Sequence, residues 1–126
     1  MAQAALDSCE AEGYRVSVTI VDASGDEKGV LKSDGAGPHT LASSFGKAFT
    51  AASMRSATAD VAANIAGKDE LDELRAMDER ILILAGGLPV GVAGEVVGGV
   101  GVGGAPGGDL DAVCAQAGID AVTSGN

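Results

Sequence analysis

Glycine is concentrated in one short part of this chain. Eleven of the 20 glycines lie between residues 86 and 108, and valine alternates with glycine through much of Val96–Gly103. Because successive residues of a strand point to opposite faces, the pattern predicts a strand with valines on one face and bare backbone at Gly99 and Gly101 on the other. We expect a helix or a second subunit to pack on the bare face. A flat ligand lying over Gly99 and Gly101 is the alternative.

The glycines Gly99-x-Gly101-x-x-Gly104 also match the dinucleotide-binding fingerprint formally. In that fingerprint the glycines form the turn between the first strand and the first helix of a parallel unit. Here they fall inside a late strand, and a single predicted helix remains after them. We therefore predict no nucleotide cofactor.

Turn residues divide the rest of the chain into short helices and strands. Hairpin connections between the strands favour an antiparallel sheet, and the helices would cover its faces. We predict a single α+β domain over residues 1–126 with about five strands. The expected helices are residues 1–13, a helix from Thr40, 58–66, 70–77 and 109–117, with breaks at Gly67 and Gly118, and the expected strands are residues 16–22, 29–32, 81–84, 86–90 and 95–103.

The helix that follows Thr40 has a clear apolar stripe. Thr40 is expected to be its N-cap. The stripe would face the core, whereas Lys47 and Thr50 would point away from it. Gly46 is expected to weaken the helix by about 1 kcal/mol relative to alanine. The stripe consists of Leu41, Phe45, Ala48, Phe49 and Ala52.

The chain is strongly acidic, with 18 Asp and Glu, 8 Lys and Arg, and a formal net charge of −10. This charge would repel nucleic acid and an anionic membrane surface. Aromatic residues make up 2% of the sequence, too few to stack nucleic-acid bases. No apolar stretch is free enough of glycine to span a membrane. Since no secretory leader opens the sequence, we expect a cytoplasmic protein, or a secreted one if a leader has been removed.

Cys9 and Cys114 are the two cysteines, and they lie near opposite ends of the chain. Their spacing fits neither a zinc site nor a haem-attachment motif. Either a disulfide joins the two terminal segments, or both thiols are free and buried in a reducing compartment. We favour the free thiols.

His39 is the only histidine, and it lies between Pro38 and the start of a predicted helix. A lone loop histidine is most often a solvated side chain. It is also the only imidazole available here for haem iron or for proton transfer near neutral pH. Lys32, Lys47 and Arg55 flank it in sequence and are candidate partners for anionic groups of a ligand. The other side chains able to bind haem iron are expected to pack in the core: Cys9, Cys114, Met54, Met77 and Tyr14.

Glu70 and Glu73 are three residues apart in a predicted helix, which places their carboxylates on adjacent turns. Oxygen ligands of this kind suit a hard or ferric ion at the surface. A solvated acidic face at the start of a helix is the competing interpretation.

Several short motifs follow one another along nearly the whole chain. They are Val21-Asp22-Ala23-x-Gly25, Asp34-Gly35-Ala36, Lys47-Ala48-x-Thr50-Ala51, Gly86-Gly87-Leu88-Pro89-Val90, the strand from Gly94 to Ala105, and Asp109 with the terminal helix. This order resembles the GlcG/HbpS family, a haem-binding or haem-degrading domain also found at the end of some corrinoid adenosyltransferases. The resemblance implies a profilin-like antiparallel sheet, homo-oligomers of dimer size or larger, and haem as a ligand.

These features together predict a small oligomeric protein that binds a tetrapyrrole, most simply haem through His39, as a carrier, a sensor accessory or a scavenger. The main alternative is a catabolic enzyme that acts on an oxygenated acid, with His39 or a carboxylate as the general base. An oligomerisation module without a ligand is the third hypothesis.

Overall fold

The computed structural model describes residues 1–123, which form helices and strands around one antiparallel sheet. The strands lie in the order β2-β1-β4-β3. The elements, in chain order, are α1 (Ala2–Ala11), β1 (Ser17–Asp22), β2 (Glu27–Lys32), α2 (Thr40–Met54), α3 (Thr58–Ile65), a 3₁₀-helix (Asp69–Ala76), β3 (Gly87–Val92), β4 (Glu95–Gly103) and α4 (Gly108–Thr123).

The predicted α+β class and antiparallel pairing are confirmed, but the described residues form four strands rather than about five. The run from Ile81 to Leu84 is not a strand. Ile81 and Ile83 are buried, as the apolar pattern indicates, yet their segment lies along α2 instead of joining the sheet. The Leu82 N–H donates to Thr50 Oγ1 at 2.8 Å. A side chain of α2 therefore accepts the hydrogen bond that a carbonyl group of a neighbouring strand would accept in a sheet.

The sheet lies between two layers of helices. α2 packs on one face, and α1 and α4 pack together on the other. Residues of β1 alternate between these layers, so Val18 joins the core with α1 and α4 while Val21 packs against α2. The α2 side is partly polar: Thr19 Oγ1 lies 2.8 Å from Ser44 Oγ, and Ser17 Oγ makes a similar contact with the Thr40 hydroxyl.

The helix α2 covers the bare glycine face of β4, which confirms the expectation that a helix or a second subunit packs there. A Cβ atom at Gly101 would lie 2.6 Å from the Ala48 nitrogen and would overlap the Ser44 carbonyl. A Cβ atom at Gly99 would lie 3.1 Å from the Ala52 nitrogen. The helix backbone therefore leaves no room for a flat ligand over Gly99 and Gly101.

Three details of α2 differ from the sequence prediction. The N-cap is His39, and Thr40 is the first helical residue, whose hydroxyl donates to the Gly37 carbonyl at 2.6 Å. Lys47 and Thr50 are both buried, because the side of the helix opposite the predicted stripe is also covered by protein. Leu41 in that stripe is 43% exposed instead.

Gly46 has a packing role that its low helix propensity conceals. A Cβ atom at Gly46 would lie 2.9 Å from the Leu82 Cβ and 3.4 Å from the Arg80 carbonyl oxygen. The missing side chain therefore lets the extended segment around Leu82 lie directly against α2.

The terminal helix differs from its predicted extent and has a covalent link to α1. α4 runs through Gly118 to Thr123 because Gly118 is buried against Met1 and Ala5 of the N-terminal segment. Asp109 lies in its first turn and is not its N-cap. Our preference for free thiols is wrong, since Cys9 and Cys114 form a disulfide that joins α1 to α4.

Among residues 1–123, no helix is both long enough and apolar enough to cross a membrane.

Candidate functional site

Two adjoining clefts lie at the start of α2. The loop cleft, of about 470 Å³, is bounded by Arg15, the first turns of α2, Asp111, and the segment called here the loop 104–108, which follows β4 and ends at the first residue of α4. The apolar cleft, of about 490 Å³, is bounded by side chains such as Phe45, Ile81 and Leu82. The residues that line both clefts are His39, Ser43 and Leu84.

The side chain of His39 is exposed where the two clefts meet. Its ring lies against Gly37, where a Cβ atom would be 2.7 Å from the imidazole Cε1. The same Cβ position is 2.9 Å from Nδ1 and 3.8 Å from Nε2, so Nε2 is the nitrogen farther from the Gly37 backbone. Neither nitrogen forms a hydrogen bond with any residue in the range 1–123. The imidazole is therefore available to bind a metal or to accept a hydrogen bond from a ligand.

A buried ion pair lies at the base of the loop cleft. Lys47 Nζ donates to Asp111 Oδ2 at 3.0 Å and to the Val102 carbonyl at 2.9 Å. The two side chains are only 5% and 3% exposed. Asp111 Oδ1 accepts the Ala105 N–H at 3.0 Å. The pair thus ties together α2, β4 and α4 and fixes the first residues of the loop 104–108.

Burial raises the pKa of Asp111 above its ordinary value, while the Ala105 N–H and the Lys47 ammonium act in the opposite direction. Removing one partner of such a buried pair typically costs about 3–5 kcal/mol, because the other charge is left without compensation. The charge of Lys47 is therefore engaged within the fold, not offered to a ligand.

Gly86 makes the space for this ion pair. Its φ of +127° lies in the region that favours glycine. A Cβ atom there would lie 2.9 Å from Lys47 Nζ and 2.9 Å from the Asp111 Cβ. Gly86 of the Gly86-Gly87 motif therefore leaves room for the ion pair that lines the loop cleft.

Of the three predicted basic residues, only Lys47 shares a cleft with His39. Lys32 is exposed at the end of β2 and lines neither cleft. Arg55 is the C-cap of α2, and His39 is the N-cap of the same helix. At a rise of 1.5 Å per residue, the two backbones are about 24 Å apart, so Arg55 does not belong to the same site.

Glu70 and Glu73 lie on an exposed 3₁₀-helix instead of the predicted α-helix. With three residues per turn, this helix places side chains i and i+3 above one another, so both carboxylates lie on the same side. Within residues 1–123, no group of three or more His, Cys, Asp or Glu side chains could hold a metal ion. Iron binding by the two glutamates alone stays a prediction.

Arg15 is the exposed charged residue of the loop cleft that the sequence analysis missed. Its side chain is exposed, and it forms no salt bridge within the described part of the chain. The register of β1 with β4 pairs Ser17 with Gly103, and this pairing brings Arg15 beside the loop that follows β4. The sequence signal was weak, because one arginine before a strand does not reveal which loop lies next to that strand.

The other haem-ligating residue types are less accessible than His39, with one exception. Tyr14 and Met54 are partly buried against hydrophobic clusters, and both cysteines are in the disulfide. Met77 was expected in the core, but it is 57% exposed, because the 3₁₀-helix before it ends without packing that side chain. It lines neither cleft.

A family model described as "Haem degrading protein HbpS-like" matches residues 1–120. No sequence among the curated proteins matches the chain.

Solved structures with the same fold include a crystal structure of HbpS. It is 43% identical to this chain, with a TM-score of 0.89, and the match covers 97% of this chain and 83% of that one. A double mutant of HbpS from Streptomyces reticuli has the same identity and TM-score, and 80% of its chain is covered. The crystal structure of a PduOC:heme complex is 26% identical, with a TM-score of 0.84 over 96% of this chain and 88% of that one.

Proposed function

The chain belongs to the HbpS-like family of haem degrading proteins, and from this membership we propose that it binds haem beside His39, where the loop cleft and the apolar cleft meet. The similarity to a PduOC:heme complex supports haem as the tetrapyrrole.

The observation that carries this proposal is the free imidazole of His39 on the rim shared by two clefts of different polarity. Haem is a largely apolar disc with an iron centre and two carboxylate groups on one edge. A site for it needs an axial donor, an apolar surface and a polar end for the carboxylates. His39 would supply the donor, and the two clefts would supply the two surfaces.

The apolar cleft offers a surface that a macrocycle would cover. Phe45 and Leu82 line it, and Leu84 at its edge is 55% exposed. Burying apolar surface of this kind is worth about 25 cal/mol per Å². The chain therefore leaves exposed, beside its one imidazole, apolar groups that would favour binding of a flat hydrophobic ligand.

The open clefts favour a reversible role. One exposed donor and few aromatic side chains would give an affinity in the micromolar range, which suits a carrier or scavenger of haem better than a permanent haem protein. The disulfide is typical of proteins in oxidising compartments. We therefore favour a secreted location over the cytoplasmic one expected from the sequence.

The proposal is tested by titrating the protein with haem and recording the Soret absorbance of the parent, of His39→Ala and of a control, Lys32→Ala. Lys32 is exposed and lies outside both clefts, so its removal should leave the spectrum and the affinity unchanged. We expect His39→Ala to shift the Soret band and to bind haem about tenfold or more weakly, since it loses the iron ligand. A parent protein with no haem spectrum would refute the function, and an unchanged His39→Ala would remove His39 from it.

An enzyme acting on an oxygenated acid is the second candidate. The observation in its favour is that the loop cleft holds His39 together with Asp111, whose pKa is raised by burial. A raised pKa brings a carboxylate closer to the range of a general base at neutral pH. Asp111 is already bonded to Lys47 and Ala105, however, so His39 is the base that a substrate would reach first.

A further inference from the structure

We propose that Arg15 and the loop cleft form a carboxylate subsite, which selects ligands that carry acidic side chains and turns the acidic edge of a bound porphyrin toward the loop 104–108. This inference rests on the proposed haem function and adds to it the residue that recognises the ligand's carboxylates.

The charges that line the loop cleft do not balance. Its charged residues, apart from His39, are Arg15, Lys47 and Asp111. Lys47 and Asp111 neutralise each other across 3.0 Å. Arg15 is therefore the one cation of the lining without a carboxylate partner among residues 1–123. In a chain with a net charge of −10, the loop cleft is a place where an anion meets a free positive charge.

Backbone amide groups line the same cleft as Arg15. The Ala105 N–H is taken by Asp111, whereas Gly107, just before α4, and Gly108, its first residue, carry two further amides of this segment. Neither amide donates to a backbone or side-chain acceptor in the described residues. A carboxylate that pairs with the Arg15 guanidinium could accept these N–H groups as well, because charge-assisted bonds to an anion are stronger than bonds between neutral groups. The Asp109 carboxylate lies beside Gly107 and opposes an anion there, so Arg15 carries the main part of the recognition.

The apolar cleft differs from the loop cleft in the charges that line it. Arg80 lines that cleft, but its guanidinium donates to Asp78 Oδ2 at 2.8 Å and lies 4.3 Å from the centre of the Phe49 ring. Glu79 lines the same cleft and would repel an anion. The carboxylates of a ligand that spans both clefts would therefore lie on the Arg15 side, and its apolar body would lie on the Phe45 side.

The experiment uses metal-free protoporphyrin IX and its dimethyl ester, because neither ligand has iron for His39 to bind. Their affinities are measured by porphyrin fluorescence at low ionic strength for the parent, for Arg15→Met and for the control Lys32→Met. Both substitutions remove one exposed cation and keep an unbranched side chain, so they change the net charge equally. Far-ultraviolet circular dichroism checks that both variants fold.

We expect Arg15→Met to bind the free acid about fivefold more weakly than the parent does, with an unchanged affinity for the dimethyl ester. Lys32→Met should behave like the parent with both ligands. Added salt should reduce the difference between parent and Arg15→Met, since the contact is electrostatic and partly exposed.

Each other result overturns a stated part of the account. Equal loss in Arg15→Met and Lys32→Met, or equal affinity of the parent for acid and ester, would refute the subsite alone. If the parent binds haem but not the metal-free porphyrin, haem and its dimethyl ester replace the two porphyrins, and equal affinities of parent and Arg15→Met for haem would refute the subsite. A parent that binds neither haem nor porphyrin would refute the proposed function itself.

Discussion

Gly101 lies under α2 with no space for a side chain, although valine is the better strand former. We predict that Gly101→Val lowers the free energy of unfolding by at least about 1–3 kcal/mol, the usual cost of overpacking a core. The added group would meet the backbone of Ser44 and Ala48, which cannot move without shifting the whole helix. Urea unfolding followed by circular dichroism measures the change.

Gly29 provides the matched control. It is also a strand glycine, in β2, and a Cβ atom there would have no neighbour within 4 Å. Gly29→Val should leave stability unchanged or raise it slightly. If Gly101→Val is as stable as Gly29→Val, the close contact between β4 and α2 does not govern the packing of this sheet.

Lys47 shows what a single sequence can and cannot reveal about one residue. Its position in a helix was predicted, and so was its proximity to His39. Its burial was not, because the helix has two covered sides and the pattern of apolar residues marks only one of them. The partner that makes burial tolerable, Asp111, is 64 residues away along the chain. No local spacing connects the two.

At the scale of elements, the disulfide between Cys9 and Cys114 holds α1 against α4. Its two cysteines are 105 residues apart, so the link closes most of the chain into a loop. We predict that replacing both cysteines by alanine lowers the free energy of unfolding by about 2–5 kcal/mol. Urea unfolding of the oxidised parent and of the double variant measures this difference.

A reducing agent provides the control for the disulfide. It should lower the unfolding midpoint of the parent toward that of the double alanine variant and leave the variant itself unchanged. Equal midpoints for the oxidised parent and the double variant would mean that α1 and α4 pack equally well without the covalent link.

Sequence analysis assigned best the elements whose pattern lies entirely within their own residues. The strand β1 and its hairpin with β2 follow from alternation and turn residues, and β4 follows from its valines. The segment around Leu82 was misassigned because an extended buried run looks the same whether its neighbour is a strand or, as here, Thr50 of α2. The 3₁₀-helix was predicted as α-helical because acidic residues at its start suit both forms.

At the scale of the whole molecule, we predict a homo-oligomer of at least two protomers. The sheet ends in the edge strands β2 and β3, and edge strands leave backbone groups free for pairing with a second chain. Val92 beside the β3–β4 turn is 58% exposed, and Val113 on α4 is 64% exposed. Light scattering at micromolar concentration should give a multiple of 12.2 kDa. A mass of 12.2 kDa itself would contradict the prediction.

The candidate site was predicted in part. His39 was found because it is the only histidine, and the structure places it at two clefts. Arg55 was included because it is near His39 in sequence, but the two residues lie at opposite ends of α2. Arg15 was omitted because its place beside the loop 104–108 depends on how β1 pairs with β4.

The most direct test of the central claim uses the single histidine as a probe. In protein labelled with nitrogen-15 histidine, every imidazole resonance belongs to His39. Titration with a diamagnetic gallium protoporphyrin IX should move these resonances strongly, through the ring current and the bond to the metal, and the change should end when His39 is saturated. Resonances that stay in place while the porphyrin binds would show that the ligand lies elsewhere and would contradict the account.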